Sequence, residues 1–491
     1  MRLRTLWCVI GLVSVILTPG CTSARQDSAK KRNALAPYTQ PMTMVLDSSI
    51  DDWPADKVVA ADEYFLYLRF SPGEAISLQS NKESVVVALD IDGNMSTGLP
   101  AGELGVDLEI TFSPPRDDGT PGNGTVVSAI SPDGERITLA PALLDISVSP
   151  SHASEWFELR IARRTTTKNL LPVEGLFSSG RLAGRLSMFT PSGKRVAEAP
   201  LFETTLPPAS PNPKRVRASI PNKPLGTVRI VSHNVLNGSP LQKPEPFARL
   251  LRALDPDIVV VQEWYDTPAE EMAAWFNEHM AINGRWRAVT SEGRGVAVIS
   301  RLDIAPMGPP ALNIEARGRE RTVRVTPALV ESPIGPIAIA SIHLKCCGSS
   351  GSPEDEQRVI EANAIANMIK EQTQDIGPHV RVVMGDFNLV GSKEPLYTLA
   401  RGFDVDGSNA TVAEPFVMGD NAMYTWTEPT SRFLPGRLDY AVYSDATAVV
   451  SRSFVFDPAR LSAESLKALN IEEIDAMASD HRPIVLDLRA P

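Results

Sequence analysis

Three short polar motifs in the C-terminal half of the chain follow apolar runs that are typical of buried β-strands. They are VMGDFN at 383–388, GRLDY at 436–440 and SDHRP at 479–483. Two further motifs lie upstream, SHNVLNG at 232–238 and VVVQE at 259–263. Together they put carboxylates, amides and an imidazole where the chain leaves a buried sheet. Metal-assisted hydrolysis of a phosphate ester needs this combination of groups.

The order of these elements resembles that of the endonuclease/exonuclease/phosphatase superfamily, which has the DNase I-like fold. The matching elements are, in chain order, Asn234, Glu263, His343, Asp386 with Asn388, Asp439, and Asp480 with His481. The resemblance covers roughly residues 225–491. It implies an α/β four-layer sandwich, with two packed β-sheets flanked by helices, and a metal-dependent phosphoric ester hydrolase.

Three residues are predicted to hold Mg²⁺ or Mn²⁺. Glu263 ends an apolar strand and is the best single ligand, because Mg²⁺ is usually bound by one or two carboxylates and keeps several waters. Asn234 adds a neutral oxygen or orients a metal-bound water. Asp480 is a second carboxylate for the same ion or for a second one. Either one or two ions agree with the sequence.

The remaining residues of the set are predicted to be catalytic. His481 is the predicted general base, since an imidazole titrates near neutral pH, and the resemblance makes Asp439 its orienting partner. The resemblance also implies that Asp386 positions or deprotonates the attacking water, so Asp386 and His481 both stay candidates for the base. Asn388 lies two positions further on a segment expected to be extended, and is predicted to donate to phosphoryl oxygens. His343 would stabilise the phosphate or protonate the leaving oxygen.

Charge gives mixed indications about a nucleic-acid substrate. The net charge of −11 argues against a general nucleic-acid coat, which would be basic. A divalent cation and a local basic groove can offset such a field, so a nuclease is not excluded. Arginines cluster before the strand that ends at His343 and could clamp a phosphate, or simply be solvated; they are Arg317, Arg319, Arg321 and Arg324.

The region 41–203 has an all-β pattern of short apolar or alternating runs separated by Gly, Pro and Asp turns. It predicts a β-sandwich, followed by a Pro-rich linker at 204–224 and by the catalytic domain at 225–491. The region resembles family 9-like carbohydrate-binding and DOMON-type sandwiches, which implies a carbohydrate ligand.

One loop of the predicted sandwich, DIDGNMSTG at 90–98, has the spacing of a calcium loop. Hard oxygen ligands recur at alternate positions there, and a further acid follows nearby. The candidate Ca²⁺ ligands are Asp90, Asp92, Asn94 and Asp107. The alternative is an Asp/Gly-rich hairpin turn without an ion.

The first 21 residues have the features of an export signal: Arg2 and Arg4, then a short apolar run, then LTPGC ending at Cys21. The ending resembles a bacterial lipobox, with Cys21 as the lipidated residue and 22–40 as a flexible tether. An ordinary signal peptide cut nearby is the alternative. The expected location is the periplasm, the outer membrane or the cell surface, on a lipid anchor.

These features predict an exported, membrane-tethered, Mg²⁺-dependent phosphoesterase. SHNVLNG also looks like the start of bacterial extracellular nucleases of the superfamily, so the leading substrate is a phosphodiester of nucleic acid. A phospholipid or sphingomyelin diesterase and a sugar- or inositol-phosphate phosphatase are the alternatives. A non-catalytic binding protein is the remaining alternative, and the completeness of the polar set argues against it.

Overall fold

The structure is a computed structural model that describes residues 44–164, 177, 180–280 and 285–491. The predicted signal at 1–21, its Cys21 and the predicted tether at 22–40 lie outside the described residues. None of the helices within the described ranges combines the length and the apolar character needed to cross a bilayer.

The N-terminal region is built from antiparallel strands. Their bounds are β1 Val59–Ala61, β2 Phe65–Phe70, β3 Ser84–Asp90, β4 Leu99–Ala101, β5 Leu104–Val106, β6 Leu108–Phe112, β7 Thr125–Ile130, β8 Arg136–Leu139, β9 Ser147–Ser149, β10 Phe157–Ala162, β11 Arg181–Phe189, β12 Arg195–Glu198 and β13 Phe202–Thr205. One sheet has the order β1-β2-β10-β9, and the second has the order β12-β11-β3-β6-β7-β8 with β13 also paired to β11.

The two sheets share one apolar core. Phe70 of β2, Phe157 of β10 and Phe112 of β6 meet there, with ring centroids 5.8 and 6.2 Å from that of Phe70. Alternate residues of strands from both sheets complete the cluster. The prediction of a β-sandwich is confirmed.

The C-terminal region alternates strands and helices. Its strands are β14 Thr227–Asn234, β15 Ile258–Gln262, β16 Arg287–Thr290, β17 Ala297–Ser300, β18 Ile304–Pro306, β19 Asn313–Ala316, β20 Arg319–Thr322, β21 Val325–Val330, β22 Ile337–His343, β23 Val380–Asp386, β24 Thr411–Val412, β25 Asp439–Tyr443, β26 Val449–Val455 and β27 Ile484–Arg489. Its α-helices are α1 Ser239–Gln242, α2 Pro244–Leu254, α3 Ala269–His279, α4 Pro353–Gln372, α5 Glu394–Ala400 and α6 Ala463–Leu469. Short 3₁₀ helices occur at Pro141–Leu144, Pro458–Arg460 and Glu473–Met477.

Two six-stranded sheets form the centre of this region, with the orders β16-β17-β15-β14-β27-β26 and β18-β21-β22-β23-β25-β24. Helices α2 and α3 pack on the first sheet, and α4 and α5 pack on the second. The result is the predicted four-layer α/β sandwich. Gln262 joins the sheets through a 3.0 Å hydrogen bond to Ser341, which in turn donates to the carbonyl of Val261.

Each sheet contains one parallel pair, and the two pairs determine where the polar motifs meet. In the first sheet β14 and β15 run parallel, so Asn234 ends beside Gln262. In the second sheet β22 and β23 run parallel, so His343 ends beside Asp386. The carboxyl ends of these strands therefore bring the predicted site residues together.

Gly385 explains why the VMGDFN motif carries a glycine in its strand. Its φ is +142°, and a Cβ there would lie 2.1 Å from the carbonyl oxygen of Ile342 and 3.0 Å from the Gln262 amide nitrogen. Any larger residue would push apart the strands that carry His343 and Asp386.

A buried ion network connects the sandwich to the catalytic domain. Arg160 of β10 is fully buried and donates to Asp420 and to the side chain of Asn421. Arg460 pairs with Asp145 of the sandwich and, at 3.1 Å, with Asp420. Burial alone would raise the pKa of Asp420, but the two guanidinium groups hold it well below its usual range. The network therefore stabilises the contact only while every charge keeps its partner.

Replacing Arg160 tests this network. We expect Arg160→Met to lower the free energy of unfolding by about 3–5 kcal/mol, because it removes one of the two guanidinium groups that compensate the buried carboxylate of Asp420. The matched control is Arg401→Ala, which breaks an exposed 3.3 Å pair with Glu394 and should cost less than about 1 kcal/mol. Urea denaturation measures both, and equal losses would contradict the structural role of Arg160.

Candidate active site

Asn234 and Glu263 lie side by side at the ends of β14 and β15. The amide nitrogen of Asn234 donates to Glu263 Oε1 over 3.1 Å, and the second Glu263 oxygen accepts from the backbone of Asn237. Glu263 has a φ of +62°, which is uncommon for a residue other than glycine. This left-handed residue turns the chain sharply after the strand. The structure thus brings together two of the three residues predicted to hold the metal.

Asp386 lies at the centre of the constellation. Its Oδ2 is 3.3 Å from the Asn234 amide nitrogen, and its Oδ1 accepts from the backbone of Asn388. The expected extended geometry of 386–388 is wrong, because Asn388 has a φ of +50° and the strand ends at Asp386. The turn directs the Asn388 amide to the carbonyl of Leu344, at 3.2 Å.

His343 faces the two acids. Its Nε2 is 3.5 Å from Asp386 Oδ2 and 3.9 Å from Glu263 Oε1. Its buried Nδ1 has no hydrogen-bond partner among the described residues. Burial, and then the positive charge of Arg324, lower the pKa of His343 well below its ordinary value, so the ring is neutral at physiological pH.

Asp439 and His481 form a buried dyad. His481 Nδ1 lies 2.7 Å from Asp439 Oδ2, while His481 Nε2 faces Asp386 Oδ2 at 3.9 Å. Burial opposes a charged imidazole, but Asp439 outweighs it and raises the pKa of His481 to about 10. The ring is therefore held as a cation with its Nε2 directed at Asp386.

Asp480 lies next to this dyad but outside the tightest cluster of acids. Its Oδ2 accepts a 2.8 Å hydrogen bond from the indole of Trp426. Its Oδ1 is buried and has no hydrogen-bond partner among the described residues. A role for Asp480 as a metal ligand remains a prediction.

The residues present fit a divalent cation. One ligand atom from each of Glu263, His343 and Asp386 lies within 4.8 Å of the others. Burial, and the neighbouring acids Asp439 and Glu263, raise the pKa of Asp386 to about 7 despite the opposing charge of His481. Glu263 and Asp386 offer the hard carboxylate oxygens that Mg²⁺ or Mn²⁺ takes. The Asn234 oxygen accepts from the backbone of Leu236, and the Asn234 amide nitrogen faces the acids.

Of the four clustered arginines, Arg324 contacts the site. It donates to the carbonyl of Leu344 over 2.7 Å and lies 3.3 Å from the hydroxyl of Tyr265. Arg317 instead pairs with Glu354 at the surface. Arg324 thus brings a positive charge close to His343.

Sequence reasoning missed two supporting hydroxyls. Ser479 donates to the carbonyl of Asn234 over 2.7 Å and accepts from the backbone of His481. Thr425 accepts from the backbone amide of Asp439 over 2.9 Å. Ser479 is the first letter of SDHRP and could have been found from that position, whereas Thr425 has no motif around it.

The predicted calcium loop also forms a cluster. One oxygen from each of Asp90, Asp92 and Asp107 lies within 4.8 Å of the others. Burial, opposed by a backbone hydrogen bond, raises the pKa of Asp107 to about 6. The side chain of Asn94 accepts from the backbone of Ser96, as in a turn. Calcium binding here stays a prediction.

Comparison with known proteins agrees with this geometry. The model of the endonuclease/exonuclease/phosphatase family matches residues 231–481, which is more than half of the 491 residues. No curated protein sequence matches the chain significantly.

Solved structures give distant matches to part of the chain. The 3′-5′ exonuclease NExo of Neisseria meningitidis is 19% identical over 53% of this chain and 100% of its own, with a TM-score of 0.37. Sphingomyelinase C of Streptomyces griseocarneus is 14% identical over 53% of this chain and 99% of its own, with a TM-score of 0.35. By the family match, the chain belongs to the endonuclease/exonuclease/phosphatase family and is a metal-dependent phosphoric ester hydrolase.

Proposed function

We propose that this protein is an exported, Mg²⁺-dependent phosphodiesterase, with nucleic acid as the leading substrate. The observation that carries the proposal is the complete centre: the acids Glu263 and Asp386 beside His343, and the Asp439–His481 dyad directed at Asp386. A degenerate, purely binding domain would be expected to have lost part of this set.

The metal has candidate ligands at one side of the centre. Glu263 and Asn234 would hold the ion, and Asp480 is the further carboxylate proposed for it. A divalent cation here supplies charge that neutralises the phosphate as negative charge builds on it. The buried Asp480 Oδ1 supports this assignment, because no described residue hydrogen-bonds to it.

The attacking water is activated by Asp386 in this proposal. A general base works best when its pKa lies near the working pH, and in the metal-free site burial and the charge of Asp439 raise the pKa of Asp386 to about 7. His481 is less suited, because its pKa is raised to about 10 by Asp439 and its ring already carries a proton. Of the two candidates that the sequence leaves open, we therefore propose Asp386 as the base and His481 as its positively charged neighbour.

The other polar groups then stabilise charge. The His481 imidazolium, fixed by Asp439, directs a positive N–H toward the side of the reacting phosphate. His343 is neutral and can donate from Nε2, while Arg324 adds a second positive charge nearby. The Asn388 amide keeps one N–H for a phosphoryl oxygen after its bond to Leu344.

A diester substrate and His481 can be tested together. We expect the protein to release p-nitrophenol from bis-p-nitrophenyl phosphate with Mg²⁺ and not with EDTA. His481→Ala should lower kcat about 10²- to 10⁴-fold, because the cation that Asp439 holds is lost. Initial rates by absorbance measure this loss, and a kcat within about tenfold of the wild type would contradict the mechanism.

The matched control is His279→Ala, which removes a histidine whose ring packs at a tilt against Trp275 outside the site, and it should leave kcat unchanged. The residual activity of His481→Ala should still fall at low pH, because Asp386 must be ionised to accept the proton.

Plasmid DNA and sphingomyelin then separate the nuclease from the lipid diesterase. Release from p-nitrophenyl phosphate alone would indicate a phosphatase.

Metal binding gives a second prediction. Glu263→Gln keeps the shape of the side chain but removes its charge, and we expect the Kd for Mn²⁺ to rise at least tenfold by calorimetry. Glu320→Gln, on the exposed strand β20, is the matched control and should bind as the wild type does. Equal affinities in both variants would rule out Glu263 as a ligand.

Export and anchoring remain part of the proposal. The sequence ending at Cys21 supports a lipid anchor, and Cys21→Ser should abolish incorporation of labelled palmitate in a bacterial host. Incorporation that persists in the variant would contradict lipidation at Cys21. Calcium at Asp90, Asp92 and Asp107, and a carbohydrate ligand of the sandwich, are further expectations of the same proposal.

A further inference from the structure

One loop of the catalytic domain contacts His481 and lies close to Asp439 in the chain, so it adjoins both members of the dyad. We define the bridging loop as residues 426–436, whose two ends pair through backbone hydrogen bonds of 2.9 and 3.1 Å between Trp426 and Gly436. Trp426 is also bridged to His481, and its indole holds Asp480. Asp439 follows the loop by three residues. The position of this loop therefore influences both members of the dyad.

The N-terminal sandwich contacts the bridging loop at residues 432–434. Leu434 is 2% exposed and belongs to the apolar core of the sandwich rather than to that of its own domain. Its backbone amide donates to Gln79 over 2.8 Å, and the carbonyl of Arg432 accepts from the backbone of Thr125 over 2.7 Å. A catalytic-domain loop is thus anchored in another domain's core.

A second contact reaches closer to the reacting groups. Ser151 Oγ lies 2.7 Å from the carbonyl oxygen of Arg437 and 3.2 Å from that of Leu389, so its one proton is shared between the two oxygens, with Arg437 the nearer. Leu389 follows Asn388 directly, and Arg437 precedes Asp439 by two residues. A single sandwich hydroxyl therefore connects the two segments that present Asn388 and Asp439.

The same sandwich loop makes a backbone contact with the first of these segments. The amide of Ala153 donates to the carbonyl of Gly391 over 2.7 Å, three residues beyond Asn388. This bond fixes the direction of the loop that carries Ser151. A second hydrogen bond, two residues beyond Ser151, therefore supports the contact.

We propose that the sandwich is part of the catalytic apparatus, with Ser151 as a positioning residue for Asn388 and the Asp439–His481 dyad. The inference rests on the proposed phosphodiesterase activity. It goes beyond that activity because it gives the sandwich a role in positioning catalytic residues, whether or not the sandwich also binds a ligand. Small displacements of catalytic groups can reduce rates strongly, so one well-placed hydroxyl is enough to matter.

Three variants test the proposal on bis-p-nitrophenyl phosphate with Mg²⁺. Ser151→Ala should lower kcat about tenfold with KM changed less than twofold, and Ser151→Thr, which keeps the hydroxyl, should restore most of the loss. The control is Ser77→Ala, which removes a sandwich hydroxyl that accepts from Ser350 over 3.0 Å, away from the Asn388 and Asp439 segments. It should keep the wild-type kcat, and its Tm should match that of Ser151→Ala.

The outcomes separate this inference from the proposed function. Full kcat in Ser151→Ala, with an active wild type, overturns the positioning role alone. An inactive wild type overturns the proposed function, and the low-field proton signal of the His481–Asp439 hydrogen bond then decides the inference. Loss or displacement of that signal in Ser151→Ala but not in Ser77→Ala supports it, and an unchanged signal overturns it. If Ser151→Ala does not fold, Gln79→Leu replaces it, because it frees the bridging loop at Leu434.

Discussion

The crowding of negative charge between two packed sheets is the constraint on which the site depends. Glu263 comes from the first sheet and Asp386 from the second, and the Gln262–Ser341 hydrogen bond connects those sheets directly behind them. A buried carboxylate and a partly buried one whose oxygens lie within 4.8 Å of each other repel unless positive charge or protons compensate them. The imidazolium of His481 supplies part of that compensation, while burial, and then the charges of Asp439 and Glu263, raise the pKa of Asp386 to about 7. A divalent cation bound between Glu263 and Asp386 would supply further positive charge.

Much of this site could be predicted because the sequence pattern shows the buried strands that carry the site and the residues at which they end. An apolar run followed by a polar residue predicts a buried strand and its end, so Asn234, Glu263 and Asp386 were found from the motifs alone. The fold class followed from the resemblance of their order to that of the superfamily. The turn at Asn388 could not be predicted, because asparagine adopts both the left-handed and the extended backbone conformation and the sequence does not distinguish them. The strand register that brings His343 beside Asp386 is likewise a property of pairing between distant segments.

Contacts between the domains are the feature that the sequence predicts least. Ser151 and Leu434 are an ordinary loop serine and an ordinary leucine until the two domains meet, and each contact spans more than 200 residues of chain. The buried Arg160–Asp420 pair has the same character. Such contacts are set by the tertiary arrangement, so neither periodicity nor motif spacing reports them. Through these contacts the sandwich packs against the catalytic domain with buried charge, apolar core residues and backbone hydrogen bonds.

Anomalous diffraction from crystals soaked in Mn²⁺ would test the central claim most directly, because it locates the ion without any assumption about substrate. The account predicts one strong peak at bonding distance from a Glu263 carboxylate oxygen, between the ends of β15 and β23. A second peak beside Asp480 would extend the site to two ions. An empty site at saturating Mn²⁺, or a peak only at the Asp90–Asp107 cluster, would contradict the assignment of these acids to a catalytic metal.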